Sequence, residues 1–263
     1  MSGSSQKSSR ERETLAMDPG VIDRIGLTRY RLLKLWIRDV NGAFDEAFGR
    51  YVDERCTLLD AGCSRGDPDL PAIGRAGYSL GCDVDMAGLR ANKLAQGRVC
   101  APLDALPLRC GSIDVIVCKF VIEHVAAPLH VFREFWRVLR PGGIVAILTP
   151  NSHSVFALLS RLIPHGVKRW AKKWLFGGHE EDTFETLYRA NTPRRLSRLM
   201  AEAGFRATRL DMLAGMWAFF IFNEPLARVV RAAERLQMRV PGLRRTCTHM
   251  MGVWQKPLGT EAR

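Results

Sequence analysis

The sequence predicts an α/β fold: a doubly wound, mostly parallel sheet of seven strands, with helical insertions over the carboxyl ends of the strands. Three observations lead there. Short apolar runs alternate with segments of helical period along the chain, which is the pattern of right-handed β-α-β crossovers. The run SIDVIVCKF (112–120) is almost continuously apolar, as a strand covered on both faces must be. Acids and glycines follow the ends of the apolar runs, where open parallel sheets bind ligands.

In chain order, residues 1–20 are polar and Ser-rich and read as a disordered tail with no apolar core of a secretory signal. Residues 21–55 form a helical lead-in. Within it Leu32, Leu33, Trp36, Ile37, Val40, Phe44 and Phe48 recur at helical spacing, predicting an amphipathic helix over 28–49. The predicted strands are 56–62, 77–85, 97–107 (strand and loop), 112–120, 143–150, 206–213 and 246–256. The segment 128–139 is a helix opened by Pro128 and stopped by Pro-Gly-Gly at 141–143. Residues 191–205 form another, with Thr192 as N-cap, Pro193 at its first position and Gly204 past its end. Asp67-Pro68 has the chemistry of a helix start. The sheet domain thus spans 56–256, interrupted by cap insertions at 151–190 and 214–245, and residues 257–263 are a tail.

Composition narrows the function. The seven cysteines contain no C-x-x-C pair, so they read as free thiols of a reducing compartment rather than a disulfide framework or a metal site. The longest apolar run, 213–222, is too short for the ~20 residues that span a bilayer. The expected location is therefore the cytoplasm, with a membrane-peripheral contact as a variant. Thirty-nine basic against 27 acidic residues give a net charge of +12. That excess fits an Arg-rich solvated surface, and equally a nucleic acid, anionic lipid or phosphorylated partner.

The chemistry concentrates in LLDAGCSRGD (58–67). A carboxylate at a strand end repels a pyrophosphate but suits a cationic group. Gly62 allows a sharp turn, and Gly66 lets a ligand approach the backbone. Asp83 ends the second strand, where a carboxylate accepts two ribose hydroxyls. Asp104 can accept from an exocyclic amine of adenine. A cationic amino-acid end, a ribose and an adenine together describe S-adenosylmethionine (SAM).

On these residues the sequence resembles the class I, Rossmann-like SAM-dependent methyltransferases of the small-molecule "type 11" kind, over roughly residues 50–213. The family's acid-x-G-x-G-x-G motif is matched by Asp60-Ala-Gly62-Cys-Ser64-Arg-Gly66, with serine at the middle glycine. Its ribose acid is matched by Asp83, its adenine-side acid by Asp104, and its later blocks by Phe120-Val-Ile-Glu-His-Val125, Arg137-Val-Leu-Arg-Pro-Gly-Gly143 and Thr149-Pro-Asn151. The resemblance implies SAM as cofactor, held by Asp60, Gly62, Ser64, Gly66, Asp83, Val84, Asp104, Ala105 and Phe120, and no metal. It implies methyl transfer, O-methylation first, to a small-molecule or lipid- or glycan-linked acceptor. His124 and His153 are the candidate bases, beside Glu123, His179 and Glu181. Two alternatives stand beside this reading. One is a nucleic-acid methyltransferase, disfavoured because no Pro-Pro-aromatic motif follows strand four. The other is a SAM-binding scaffold without turnover, for which Ser64 and Arg65 are the reason.

Overall fold

The computed structural model describes residues 27–155, 157–158 and 185–259. The predicted tail 1–20, residues 260–263 of the predicted tail 257–263, most of the 151–190 insertion, and His179 and Glu181 lie outside the described residues. The strands are β1 Thr57–Ala61, β2 Tyr78–Asp83, β3 Gly97–Cys100, β4 Ile113–Lys119, β5 Leu139–Pro150, β6 Arg206–Leu213 and β7 His249–Gln255. They form one sheet in the order β3-β2-β1-β4-β5-β7-β6. All neighbouring pairs are parallel except those made by β7, which runs antiparallel between β5 and β6. The register Leu213↔His249↔Pro150 therefore puts the start of β7 on the rim where the other strands end.

Strand alternation divides the core. Leu59, Ala61, Ile116, Cys118, Val145, Ile147 and Trp254 face one side, where α4 (Pro128–Val138) contributes Phe132 and Phe135. Leu58, Val115, Val117, Ile144, Ala146 and Val253 face the other. There the lead-in packs Phe44 and Phe48 of α2 (Ala43–Gly49). That lead-in is one continuous path from α1 (Leu27–Trp36) through a π-helical turn (Ile37–Gly42) into α2. Helix α3 (Met86–Ala91) is capped by Asp85, whose carboxylate accepts from the N–H groups of Ala87 and Gly88. Helix α5 (Pro193–Glu202) has the predicted cap, Thr192 accepting from Arg195 N–H.

Within 97–107 the strand ends at Cys100 and the expected loop follows, because Pro102 has no N–H for the ladder and the chain turns there into the cleft. One expectation fails. No helix starts at Asp67-Pro68; the segment turns, and only a 3-10 helix, Pro71–Arg75, follows. Leu70, ahead of Pro71, sits outside the helical region at φ −117°, ψ 69°, as a residue before proline tends to.

The 214–245 insertion is a 3-10 turn (Met216–Phe220), α6 (Glu224–Arg239) and α7 (Pro241–Arg244). Its anchor is Glu234, buried on α6. The carboxylate accepts from the N–H groups of Gly215, Met216 and Trp217 at 2.9–3.1 Å and from the Thr248 hydroxyl at 3.2 Å. One side chain thus fastens the insertion to the rim between β6 and β7. Glu234→Ala leaves those donors unpaired, and equilibrium urea unfolding is expected to show a loss of about 2–5 kcal/mol.

Candidate cofactor-binding cleft

The carboxyl ends of β1, β2 and β4 surround a cleft of about 430 Å³. Its floor is the turn after β1. Gly62 and Gly66 hold φ of +79° and +83°, and Ser64, the serine at the middle glycine, also takes a left-handed conformation at φ +39°. The loop therefore keeps a glycine-like path through that position. A Cβ on Gly62 would lie 2.2 Å from a methyl of Val121, so the close approach requires glycine.

Asp83 organises the cleft. Its carboxylate accepts from Ser64 N–H at 2.7 Å with one oxygen and from Asp85 N–H at 2.9 Å with the other. It thereby ties the loop after β1 to the loop after β2, and each oxygen keeps a further lone pair for a ligand. Val84, which is exposed, and Asp104 line the cleft with it. Leu103, Val121, Val125 and Val131 form the apolar wall. Phe120 closes one side from a left-handed backbone position, φ +55°. Of the predicted cofactor residues, Gly62, Ser64, Asp83, Val84, Asp104 and Phe120 come together here, whereas Asp60, Gly66 and Ala105 do not line the cleft.

Asp60 is displaced by the period of the sheet. It alternates with Leu59 and Ala61, so it shares the face of Leu58 and α2, while the cleft wall belongs to the α4 face. Lys119 lies on the Asp60 face by the same alternation on β4, and it is paired with Asp67. Burial first, then the neighbouring Asp67 charge, push the Asp60 carboxyl up to about 7, against the pull of Lys119. Neither Lys119 nor Asp67 is a residue that the motif pattern marks. The available signal is a lysine ending an otherwise apolar strand.

The candidate bases separate. His124 lines the cleft, and its Nδ1 lies 3.0 Å from the carbonyl oxygen of Glu185. His153 is exposed and away from the cleft lining; its N–H donates to Asn151. Glu123 is buried and accepts from the Thr149 hydroxyl, with burial raising its pKa. Asn151 is a clasp: its side-chain amide donates to the carbonyls of Arg245 and Cys247. Among the described residues no cluster of three or more metal-ligating side chains occurs.

The sheet order and the glycine turn define the class of protein first: a Rossmann-like α/β domain of methyltransferase architecture. Residues 59–147 match the family model described as a methyltransferase domain. Among curated relatives, the ubiquinone biosynthesis O-methyltransferase of Marinobacter nauticus is 29% identical over 145 residues, covering 46% of this chain and 61% of that protein. The tRNA 5-carboxymethoxyuridine methyltransferase of Escherichia coli K12 is 26% identical over 121 residues, covering 42% and 46%. The chain thus matches about half the length of these relatives. A solved geranyl diphosphate C-methyltransferase from Streptomyces coelicolor, in complex with S-adenosyl-L-homocysteine, superposes with a TM-score of 0.54 at 15% identity, covering 82% of this chain and 79% of that one.

Two outcomes test the site. Gly62→Ala puts a methyl against Val121 in a left-handed residue, and its thermal unfolding is expected to report a loss of about 2 kcal/mol or more. For Asp60, the unfolded carboxyl ionises near its ordinary value of about 4 and the folded one at about 7. The folded state therefore holds the extra proton between those values, and stability falls as pH rises through that window. In Asp60→Asn, denaturant titrations from pH 4 to 7 are expected to show a flatter slope.

Proposed function

We propose that the protein is a SAM-dependent methyltransferase acting on a small-molecule or lipid- or glycan-linked acceptor, with transfer to oxygen. The observation that carries the reading is the position of Asp83: it braces the turn after β1 and faces, with Asp104, a cleft of nucleoside size walled by aliphatic side chains. The residues fit the group. Asp83 has lone pairs for two ribose hydroxyls, and the exposed Asp104 can accept from an adenine amine. Leu103, Val125 and Val131 offer apolar contact to a flat base. Gly62 and Ser64 leave the backbone open beside them, with Val84 and Phe120 at the margins.

SAM when bound supplies an already activated methyl group, so the protein's part is alignment. Fixing donor and acceptor in line is worth ~7–11 kcal/mol where the geometry is tight. Phe120 and Val121 are stiff walls at the β4 end of the cleft, suited to excluding water from that line. A hydroxyl acceptor must also lose a proton. His124 is the cleft histidine for that role: the Glu185 carbonyl beside Nδ1 favours the tautomer protonated there, which makes Nε2 the basic nitrogen.

A second reading, an RNA acceptor, is favoured by the tRNA-modifying relative and the net charge of +12. Copurification of RNA, with affinity falling steeply as salt rises, would support it over the first.

Calorimetry with SAM and its demethylated product tests the cofactor assignment. Wild type is expected to bind both. Asp83→Asn keeps the shape of the side chain but can accept only one of the two backbone N–H bonds that Asp83 takes from Ser64 and Asp85; it is expected to bind SAM roughly 10- to 100-fold more weakly and to lose about 1–3 kcal/mol of stability while still folding. Undiminished SAM binding in that variant would remove the ribose assignment. His124→Gln should lower kcat with little change in SAM affinity; an unchanged pH–rate profile would exclude His124 as the base.

A further inference from the structure

The 214–245 insertion presents a surface that methyl transfer does not use. On α6 and the turn after it, Leu226, Val229, Leu236, Val240 and Leu243 are all exposed, Val229 at 65% and Leu236 at 63%. Leu226, Val229, Leu236 and Val240 fall at offsets of 0, 3, 10 and 14, which is one stripe of a helix. The core-facing side is separate and carries Ala227 and Glu234. Arg228, Arg235 and Arg239 stand at offsets of 7 and 4 from one another, on a strip bordering the apolar one. Helix α6 therefore has a core face, an apolar exposed face and a basic exposed face.

The basic face opens into a second cavity, of about 450 Å³, between α1 and α6. Arg31, Arg228, Arg231 and Arg235 line it over Leu32 and Leu35. Arg231 is committed to Asp39 at 2.6 Å and to the Trp217 ring at 5.0 Å. Arg228 pairs with Glu224 on the surface. Arg31 and Arg235 have no hydrogen-bond or ion-pair partner among the described residues. Glu224, which also lines the cavity, and Asp39 offset two of the four guanidinium groups; Arg31 and Arg235 remain, and an anion with several oxygens complements them through forked hydrogen bonds. The apolar floor suits a ligand that is not purely ionic.

We propose that this face docks the protein on an anionic phospholipid bilayer, with the apolar stripe of α6 sunk at the headgroup boundary and a lipid phosphate seated among Arg31, Arg228 and Arg235. Charge complementarity selects this occupant: exposed aliphatic side chains on α6 stand beside a strip of arginines, of which Arg235 has no ion-pair partner among the described residues, and this is the composition of an interfacial helix. Position gives it consequence. Glu234 fastens α6 to Gly215–Trp217 and to Thr248, on the rim that also carries the cofactor cleft, so the docking helix is held directly to that rim. The proposal is independent of the methyl-transfer reading.

The test is co-sedimentation of the full chain with vesicles of phosphatidylcholine alone and with about one third phosphatidylglycerol. Wild type is expected to pellet only with the anionic vesicles. Arg228→Glu with Arg235→Glu, and separately Val229→Ser with Leu236→Ser, are each expected to lower the partition coefficient about tenfold or more, with thermal unfolding near wild type. The serine pair alters only exposed side chains, so it remains a test if the charge reversal fails to fold. Pelleting that ignores lipid charge, no pelleting, or both variants pelleting like wild type overturns the proposal. So does binding of inorganic phosphate or RNA that the arginine variant abolishes while wild type stays off the vesicles.

Discussion

The carboxylate of Asp83 is the constraint on which the candidate site depends. Parallel strands end on one rim, and their loops would otherwise be held only by their own turns. Asp83 crosses that gap, one oxygen on Ser64 N–H and the other on Asp85 N–H. Asp85 in turn caps α3, so the glycine turn, the end of β2 and the next helix are set by two consecutive acid-to-backbone contacts. The bonds are charge-assisted and short, the kind least tolerant of a lost partner. The same side chain that would grip a sugar is also the brace of the cleft, which separates its two roles only by which lone pairs each uses.

Much of this was legible in the sequence because it is local. All seven strands follow from apolar runs, the Thr192 cap from its neighbours, and the meeting of Gly62, Ser64, Asp83 and Asp104 from the rule that open sheets bind at their carboxyl ends. What was not legible depends on which face a residue takes and on distant partners. Asp60 is the first acid of the motif, yet strand alternation turns it away from the cleft wall. His153 follows a strand end as a site residue should, but Asn151 holds its N–H and the ring lies outside. Asp67-Pro68 has capping chemistry without a helix, since Pro71 comes too soon and Asp67 is drawn to Lys119, 52 residues away.

Asp60, Asp67 and Lys119 form a compact charged set beneath the rim on the α2 face, with Phe120 next to Lys119 at 5.5 Å. His249 at the start of β7 sits edge-on to Phe120, and burial together with the Lys119 charge lowers its pKa to about 4. It is therefore a neutral ring at ordinary pH. Of this group only Phe120 lines the cleft. Its ring stands between the aliphatic wall on the α4 side and the charged and aromatic groups behind it, so the shape of the cleft on that side depends on how Lys119 and His249 hold that ring.

The place of β7 also bears on how the chain acquires its shape during synthesis. Among the described residues β6 has no ladder partner except β7, and β7 leaves the ribosome after the other six described strands. Until residues 249–255 emerge, the β3-to-β5 half can assemble by short crossovers, while β6 waits with both edges bare. Closure then needs a pairing that spans more than a hundred residues, from Ile144 to Gln255, which is slow compared with local contacts. During that interval the open flank of β5 is the stretch most exposed to wrong partners.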